Sequence, residues 1–234
     1  MNTNSNSYTI IYASVVVVIV AFVLAFTSAS LKSTQNKNIE LDKMKQILHA
    51  LNVDTKGQNP EEVYNKYVKA DQIMNANGEV LAQKGGFKIE LKAELAKVLA
   101  DRKLPLYVCE VDGQTKYVFP LYGAGLWGPI WGYVGLNDDK NSVYGVYFSH
   151  EGETPGLGAE IASAGFQKQF PGKHVLKDGA VELGVEKNGK VTEPDYQVDG
   201  ISGGTITSKG VDAMLKKCLG QYDKFLTTND KGGK

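Results

Sequence analysis

Pro105-Leu-Tyr-Val-Cys-Glu-Val-Asp112-Gly113-Gln-Thr-Lys-Tyr117-Val-Phe119 is the stretch that decides the fold. β-formers crowd its two halves, and Asp112-Gly113 sits where a tight hairpin turn needs residues that tolerate positive φ. Residues 106–111 and 117–119 therefore read as a hairpin. Two further strands follow at 130–136 and 143–148, parted by Asn137-Asp138-Asp139-Lys140-Asn141. Residues 181–186 and 190–191 flank an Asn188-Gly189 turn in the same manner.

Helical patterns lie around this strand-rich centre. Residues 156–170 read as a broken helix closed by Pro171-Gly172. From Thr205 onward, Met214, Leu215, Cys218, Leu219, Tyr222, Phe225 and Leu226 mark a C-terminal amphipathic helix. Upstream, Asn59-Pro60-Glu61-Glu62 has a capping side chain, a proline at the first helical position and acids in the first turn. Asn77-Gly78 joins Ile73-Met74 to Val80-Leu81 as a second hairpin, and Leu91, Leu95 and Leu99 give 89–99 helical spacing. Ile39, Leu41, Met44, Ile47, Leu48 and Leu51 extend a helix over 31–53. Its apolar side is read as packing on the domain, with docking on a partner as the alternative. The class is α+β, an antiparallel sheet with peripheral helices.

Residues 10–26 carry no charge. At ~1.5 Å per residue that run falls a little short of a ~30 Å hydrocarbon core, and Tyr8-Thr9 before it with 27–31 after it complete the span. A cleaved signal peptide is the competitor, with Ser28-Ala29-Ser30 as its cleavage site. The apolar run is long for that, residues 1–7 lack Lys and Arg, and no cysteine follows for a lipid anchor. The expected layout is a short tail at 1–8, a retained anchor at 9–31, a helical membrane-proximal and supporting segment at 32–103, a ligand-binding domain at 104–228 and a polar tail at 229–234. Lys32, Lys37, Lys43 and Lys45 follow the span, mixed with Glu40 and Asp42; taken strictly, the positive-inside tendency would hold the rest of the chain in the cytoplasm.

Lys plus Arg and Asp plus Glu balance at 26 each in 234 residues, and no basic cluster is interleaved with aromatics, so nothing points to nucleic acid. His49, His150 and His174 are scattered and no Cys/His spacing suggests a metal. Cys109 and Cys218, each in an apolar pattern, read as buried reduced thiols; a disulfide is the alternative in an exported domain.

Three segments carry chemistry. Asp199-Gly-Ile-Ser202-Gly203-Gly204-Thr205 opens the last helix. The first N–H groups of a helix lack intrahelical partners and favour a phosphate, glycines let backbone approach it, and Thr205 puts a hydroxyl beside it. Alone, the segment reads first as an ordinary turn before a helix. Asp199 reads as an Asx-type turn, and Thr207 and Ser208 as caps. The second segment is His150-Glu-Gly-Glu153-Thr154-Pro155-Gly156-Leu157-Gly158, a Pro-Gly turn with exposed N–H groups. There Thr154 offers a hydroxyl, Leu157 an apolar surface, and Glu153 either a ligand contact or a cap on the backbone at Gly156 and Leu157. The third is Tyr122-Gly-Ala-Gly125-Leu126-Trp127-Gly128-Pro129-Ile130-Trp131-Gly132-Tyr133. Trp127 is placed equally beside a ligand or in packing, and Trp131 in packing. The run lacks the placement of a dinucleotide fingerprint.

Taken in this order, the three segments resemble the FMN-binding domain of the C-type subunit of Na+-translocating NADH:quinone reductases (the Nqr complex), and of the G-type subunit of the Rnf-type relative. That family's flavinylation motif is Asp-x-x-(Ser/Thr)-Gly-Ala-Thr; this chain has Gly204 where Ala is usual, a slightly looser loop. The resemblance implies FMN joined through its phosphate to Thr205. It also implies a cradle of Ser202, Gly203 and Gly204, and a wall of Glu153, Thr154, Gly156, Leu157 and Gly158 with Leu126 and Trp127. Asp199 would belong to what a separate flavin transferase recognises, the link being made from FAD with Mg2+. An extracytoplasmic domain on a single-pass anchor in the bacterial inner membrane follows, against the charge bias. So does electron relay in a sodium-exporting complex whose other subunits bind NADH and quinone. The Gly-Leu-Trp-Gly-Pro-Ile block favours the quinone-reductase subunit over its ferredoxin:NAD+ relative. A non-redox anchored module for a phosphorylated ligand or a partner is the alternative of a different class.

Overall fold

The computed structural model describes residue 3 and residues 5–228; the polar tail expected at 229–234 lies outside the described residues. Two compact units divide the chain between Lys43 and Met44.

The first unit is helical. α1 runs unbroken over Asn6–Ala50, with neither Gly nor Pro in its 45 residues to interrupt the i→i−4 ladder. It crosses the 31/32 boundary expected between anchor and following segment without a break. Ile10, Val17, Phe22, Leu24 and Phe26 are all more than half exposed, and among the described residues this stretch is long and apolar enough to cross a membrane by length and composition. Thr27 hides its hydroxyl by donating to the Val23 carbonyl at 2.8 Å.

The second unit is built on a six-stranded antiparallel sheet. Its strands are β1 (Val68–Met74), β2 (Val80–Ala82), β3 (Leu104–Val111), β4 (Gln114–Ala124), β5 (Pro129–Leu136) and β6 (Val143–His150), in the order β2-β1-β3-β4-β5-β6. The sheet runs through the expected 103/104 boundary, because the free side of β3 is filled by β1. Asp112 and Gly113 both take positive φ in the β3–β4 turn, and Gly78 does so in the β1–β2 turn. The two-residue alternation sends Leu104, Leu106, Phe119, Leu121, Ile130, Val134 and Phe148 to one face. Tyr107, Cys109, Val111, Val118 and Tyr133 go to the other.

Each face has its own cover. The end of α1 (Ile47, Leu48, Ala50, Leu51) and α2 (Pro60–Tyr67) close the second face. This upholds the packing reading of 39–51 for its C-terminal part; Ile39 itself is exposed. α2 begins as expected, Asn59 accepting from the Glu61 N–H at 3.1 Å. Gly135 and Gly145 lie opposite one another in β5 and β6, and a Cβ on either would come within 2.7 Å of the Ala50 carbonyl oxygen. Asn52, at φ 56°, ends the helix and donates to the Tyr144 carbonyl at 2.9 Å.

The first face is covered by α5 (Thr205–Leu219) and α6 (Asp223–Thr227), together with Phe166 and Phe170 around α4 (Ala164–Gln167). Three expectations change here. The helix expected over 89–99 shrinks to α3 (Leu91–Leu95), because the Arg102 guanidinium takes the Leu95 and Lys97 carbonyls. The expected broken helix at 156–170 resolves into a 3-10 turn, Gly158–Ala162, and the four-residue α4. Residues 181–186 do not pair with 190–191. β7 (Leu176–Lys177) pairs with β8 (Ala180–Val181), and β9 (Gly184–Glu186) pairs in parallel with β10 (Gln197–Asp199) across the Gly189 turn. Both cysteines are free and buried, Cys109 under one face and Cys218 under the other, so the reduced-thiol reading holds.

Candidate functional site

α5 starts without a side-chain cap: Gly204 holds the N-cap position and offers none. The first N–H groups of a fifteen-residue helix therefore face outward with their partial positive charge. Gly203, at φ 76°, makes the preceding turn, and a Cβ on it would press to 2.7 Å from a methyl of Leu157. The loop carrying Leu157 and the loop carrying Ser202 and Gly203 are thus in contact, two segments far apart in sequence.

Three hydroxyls occupy the first turn of α5, and their surroundings differ. Thr207, 1 % exposed, donates to Glu153 Oε2 at 2.5 Å. Ser208 is buried and accepts from the Ile201 N–H at 2.9 Å. Neither caps the helix, which corrects that expectation: both are inside it, where the side chains point back into the fold. Thr205 is exposed. It lines a shallow pit with Lys209, one turn further along the same helical face, and with Lys187 and Asn188.

Glu153 lies beneath this surface, 5 % exposed. Its Oε1 accepts from the Trp127 N–H at 2.8 Å while Oε2 takes the Thr207 hydroxyl, and its own N–H donates to His150 Nδ1 at 3.2 Å. Burial pushes its carboxyl up, but the hydrogen bonds from Thr207 and from the N–H groups of Trp127 and Leu126, with the His150 ring nearby, bring it below the ordinary glutamate value. Glu153 does not cap Gly156; the Glu160 carboxylate does, at 3.2 Å. The Leu157 and Ala159 N–H groups close instead on the Thr154 carbonyl.

Leu126 and Trp127 form the tip of the β4–β5 hairpin, closed by the Gly125 N–H on the Gly128 carbonyl at 2.8 Å. Trp127 is 69 % exposed. Trp131 instead donates from its ring N–H to Gln46 Oε1 at 3.2 Å, so its packing reading stands. A broad open groove runs from the tip between α3 and α5, lined by Leu95, Tyr122, Trp127 and Met214 with Lys92 and Lys217 at its margins.

Asp199 is not an Asx turn. It belongs to β10, and its Oδ1 accepts from the Gly189 N–H at 2.6 Å, fastening the 187–190 turn that forms one side of the Thr205 pit. No group of His, Cys, Asp and Glu able to hold a metal occurs among the described residues.

The fold thus gathers the three segments singled out in the sequence. Leu126, Trp127, Thr154, Gly156, Leu157, Ser202, Gly203 and Thr205 are at the surface; Glu153, Gly158 and Gly204 are buried below them. Ile206, 57 % exposed next to Thr205, adds an apolar surface that the sequence reading passed over. The sequence reading left Lys209 out of the site, although its i+4 spacing to Thr205 was a signal for it; the Glu153–Thr207 bond had no sequence signal.

The FMN-binding domain family matches residues 125–220, a span that holds the Glu153 and Thr205 segments whole and the third from Gly125 onward. The C-type subunit of the Na(+)-translocating NADH-quinone reductase of Haemophilus ducreyi is 31 % identical over 94 % of this chain and 91 % of its own length. That of Pasteurella multocida is 34 % identical over 86 % of this chain and 85 % of its own. The crystal structure of the same subunit from Parabacteroides distasonis superimposes with a TM-score of 0.79 at 45 % identity, covering 86 % of this chain and 98 % of that one. That of NqrC from Shewanella oneidensis, 24 % identical with a TM-score of 0.68 over 81 % of this chain and 98 % of its own, shares the fold. The chain belongs to the NqrC family, the C-type subunits of the Na+-translocating NADH:quinone reductases.

Proposed function

We propose that Thr205 carries FMN through a phosphoester and that the chain relays electrons within a Na+-translocating NADH:quinone reductase. The observation that carries the site is the contrast among the three hydroxyls of the first turn of α5. Thr207 and Ser208 are buried in hydrogen bonds, and Thr205 faces solvent at an uncapped helix start beside Lys209 and Lys187. The residues present fit FMN. Helix N–H groups and two lysines offset a phosphodiester's charge, the dipole contributing about 0.3–1 kcal/mol. Leu126, Trp127, Leu157 and Ile206 offer exposed apolar surface to a ring.

FMN, when bound, supplies one- and two-electron chemistry through its ring. The chain's own residues would hold the phosphate end at the start of α5 and offer the ring an apolar wall from Leu126, Trp127, Leu157 and Ile206. A threonine hydroxyl is a weak nucleophile unless it is activated, so a flavin transferase is the agent of attachment. It joins the FMN half of FAD to the threonine oxygen, the hydroxyl proton and AMP departing. Asp199, by fastening the 187–190 turn, keeps the pit in the shape that enzyme meets.

The remaining assignments follow the same reading. α1 anchors the chain in the inner membrane, with the globular unit on the periplasmic side. The uncharged span at 10–26 has no side chain that could conduct an ion, so sodium movement belongs to the assembled complex, as do the NADH and quinone sites. Coexpression with a flavin transferase should give a yellow chain whose mass is raised by one FMN, with the adduct mapped to Thr205. Thr205→Val should abolish the adduct and leave the melting temperature unchanged. A Thr205→Val chain that retains covalent flavin would refute the assignment. A reporter fused after residue 234 that is active only in the cytoplasm would overturn the orientation.

A further inference from the structure

Three segments separated by tens of residues converge on one carboxylate. The Trp127 N–H at the hairpin tip reaches Glu153 Oε1 at 2.8 Å, and the Thr207 hydroxyl in the first turn of α5 reaches Oε2 at 2.5 Å. Glu153 itself belongs to the third segment, and His150 at the end of β6 accepts its N–H at 3.2 Å. The space around the carboxylate is kept clear for it. A Cβ on Gly125 would come to 2.5 Å from Glu153 Oε1, and one on Gly158 would overlap both Oε2 and Thr207 Oγ1. Two glycines and two donors are thus arranged about a side chain that is 5 % exposed and has both oxygens engaged by protein.

We infer that Glu153 is the positioning residue of the flavin site: a buried clasp that holds the Leu126–Trp127 tip, the Thr154–Gly158 loop and the start of α5 in one fixed arrangement. This rests on the FMN reading of Thr205 and revises the expectation that Glu153 touches the cofactor. Thr205 and Thr207 stand two residues apart on a helix, about 200° around its axis. One is therefore free for the phosphate while the other ties the same turn to the wall of the ring. Charge-assisted hydrogen bonds such as these are shorter and roughly twice as strong as neutral ones, so one carboxylate can order three exposed loops. Its second effect is electrostatic. A buried anion near the ring disfavours a flavin that gains negative charge on reduction, which lowers the potential.

The full chain coexpressed with the transferase tests this. Thr207→Val should still take FMN at Thr205, but with lower flavin fluorescence anisotropy and a displaced midpoint potential. Thr207→Ser, which keeps the hydroxyl, should restore both. Glu153→Gln should move the potential to a more positive value. In the flavin-free chain, Glu153→Ala, which removes the acceptor of the Trp127 N–H, should speed amide exchange there about tenfold, the factor that goes with losing one such bond, and Thr207→Val should speed it several-fold. If Glu153→Gln does not fold, the Thr207 pair decides. Wild-type anisotropy and potential in Thr207→Val, with Trp127 exchange unchanged, would overturn the clasp. A wild-type chain that never acquires flavin would defeat the FMN reading instead, and the exchange measurement would still judge Glu153.

Discussion

The two faces of the central sheet are filled by the same alternation of side chains and serve different ends. Under the end of α1 and α2, Ile47, Leu48, Tyr64, Tyr107 and Cys109 make a core that takes in Tyr133, the last residue of one candidate segment, and no residue of the Glu153 or Thr205 segments. Under α5, Phe119, Ile130, Phe148 and Met214 make a core covered by the helix that begins at the proposed flavin site. The face under α1 and α2 can tolerate change in proportion to its packing. The face under α5 transmits change to Glu153 and Thr207, because α5 is at once its cover and the carrier of Thr205. Burial alone does not distinguish the two; what does is whether the covering helix starts at a ligand.

That contrast can be broken by mutation. Leu48→Ala, on the face without the site, should cost about 2–5 kcal/mol in urea unfolding and leave flavin attachment intact in the folded fraction. Loss of attachment without loss of stability would erase the distinction. Gly158→Ala, on the other side, should cost about 1–3 kcal/mol, since its methyl collides with Glu153 and Thr207, and should perturb the flavin spectrum as well. The acid limb of the stability curve gives a smaller effect. Glu153 has a folded pKa below its unfolded one, so its contribution is complete above the ordinary carboxylate range and is lost as pH falls through the folded value. Glu94 shifts in the same direction: burial raises it, and the Lys103 N–H and Lys97 outweigh burial. Melting temperature followed from neutral to acid pH should therefore fall less steeply in Glu153→Gln, with a residual slope from Glu94. Smallest of all is Tyr107→Phe. Its hydroxyl is buried without a hydrogen-bond partner, so stability should change by less than about 1 kcal/mol or rise slightly.

Local signals in the sequence carried far. The Asp112-Gly113 and Asn77-Gly78 turns, the Asn59 cap and the start of α5 were all legible, because each depends on a few adjacent residues with special φ or capping chemistry. Signals between distant residues did not carry. The parallel pairing of β9 with β10 replaces the local hairpin that Asn188-Gly189 suggested, since Asp199 takes the Gly189 N–H and the Gly200 N–H donates to the Glu186 carbonyl. Arg102 shortens the helix that Leu91, Leu95 and Leu99 predict. Of the site, the exposed layer was readable from motif residues. Its support was not: Glu153 finds Thr207 across 54 residues, and nothing in either neighbourhood says so.

The placement of the two thiols has a consequence for where this protein can mature. Cys109 and Cys218 lie beneath opposite faces of one sheet, whereas a cystine needs Cα atoms within about 7 Å and side chains turned toward each other. Burial also drives the Cys109 thiol up to about 12, which leaves almost no nucleophilic form for exchange with glutathione or an oxidoreductase. Once folded, such a chain keeps both sulfurs as buried thiols and rests on packing rather than on a cystine, so an oxidising compartment leaves its native state unaltered.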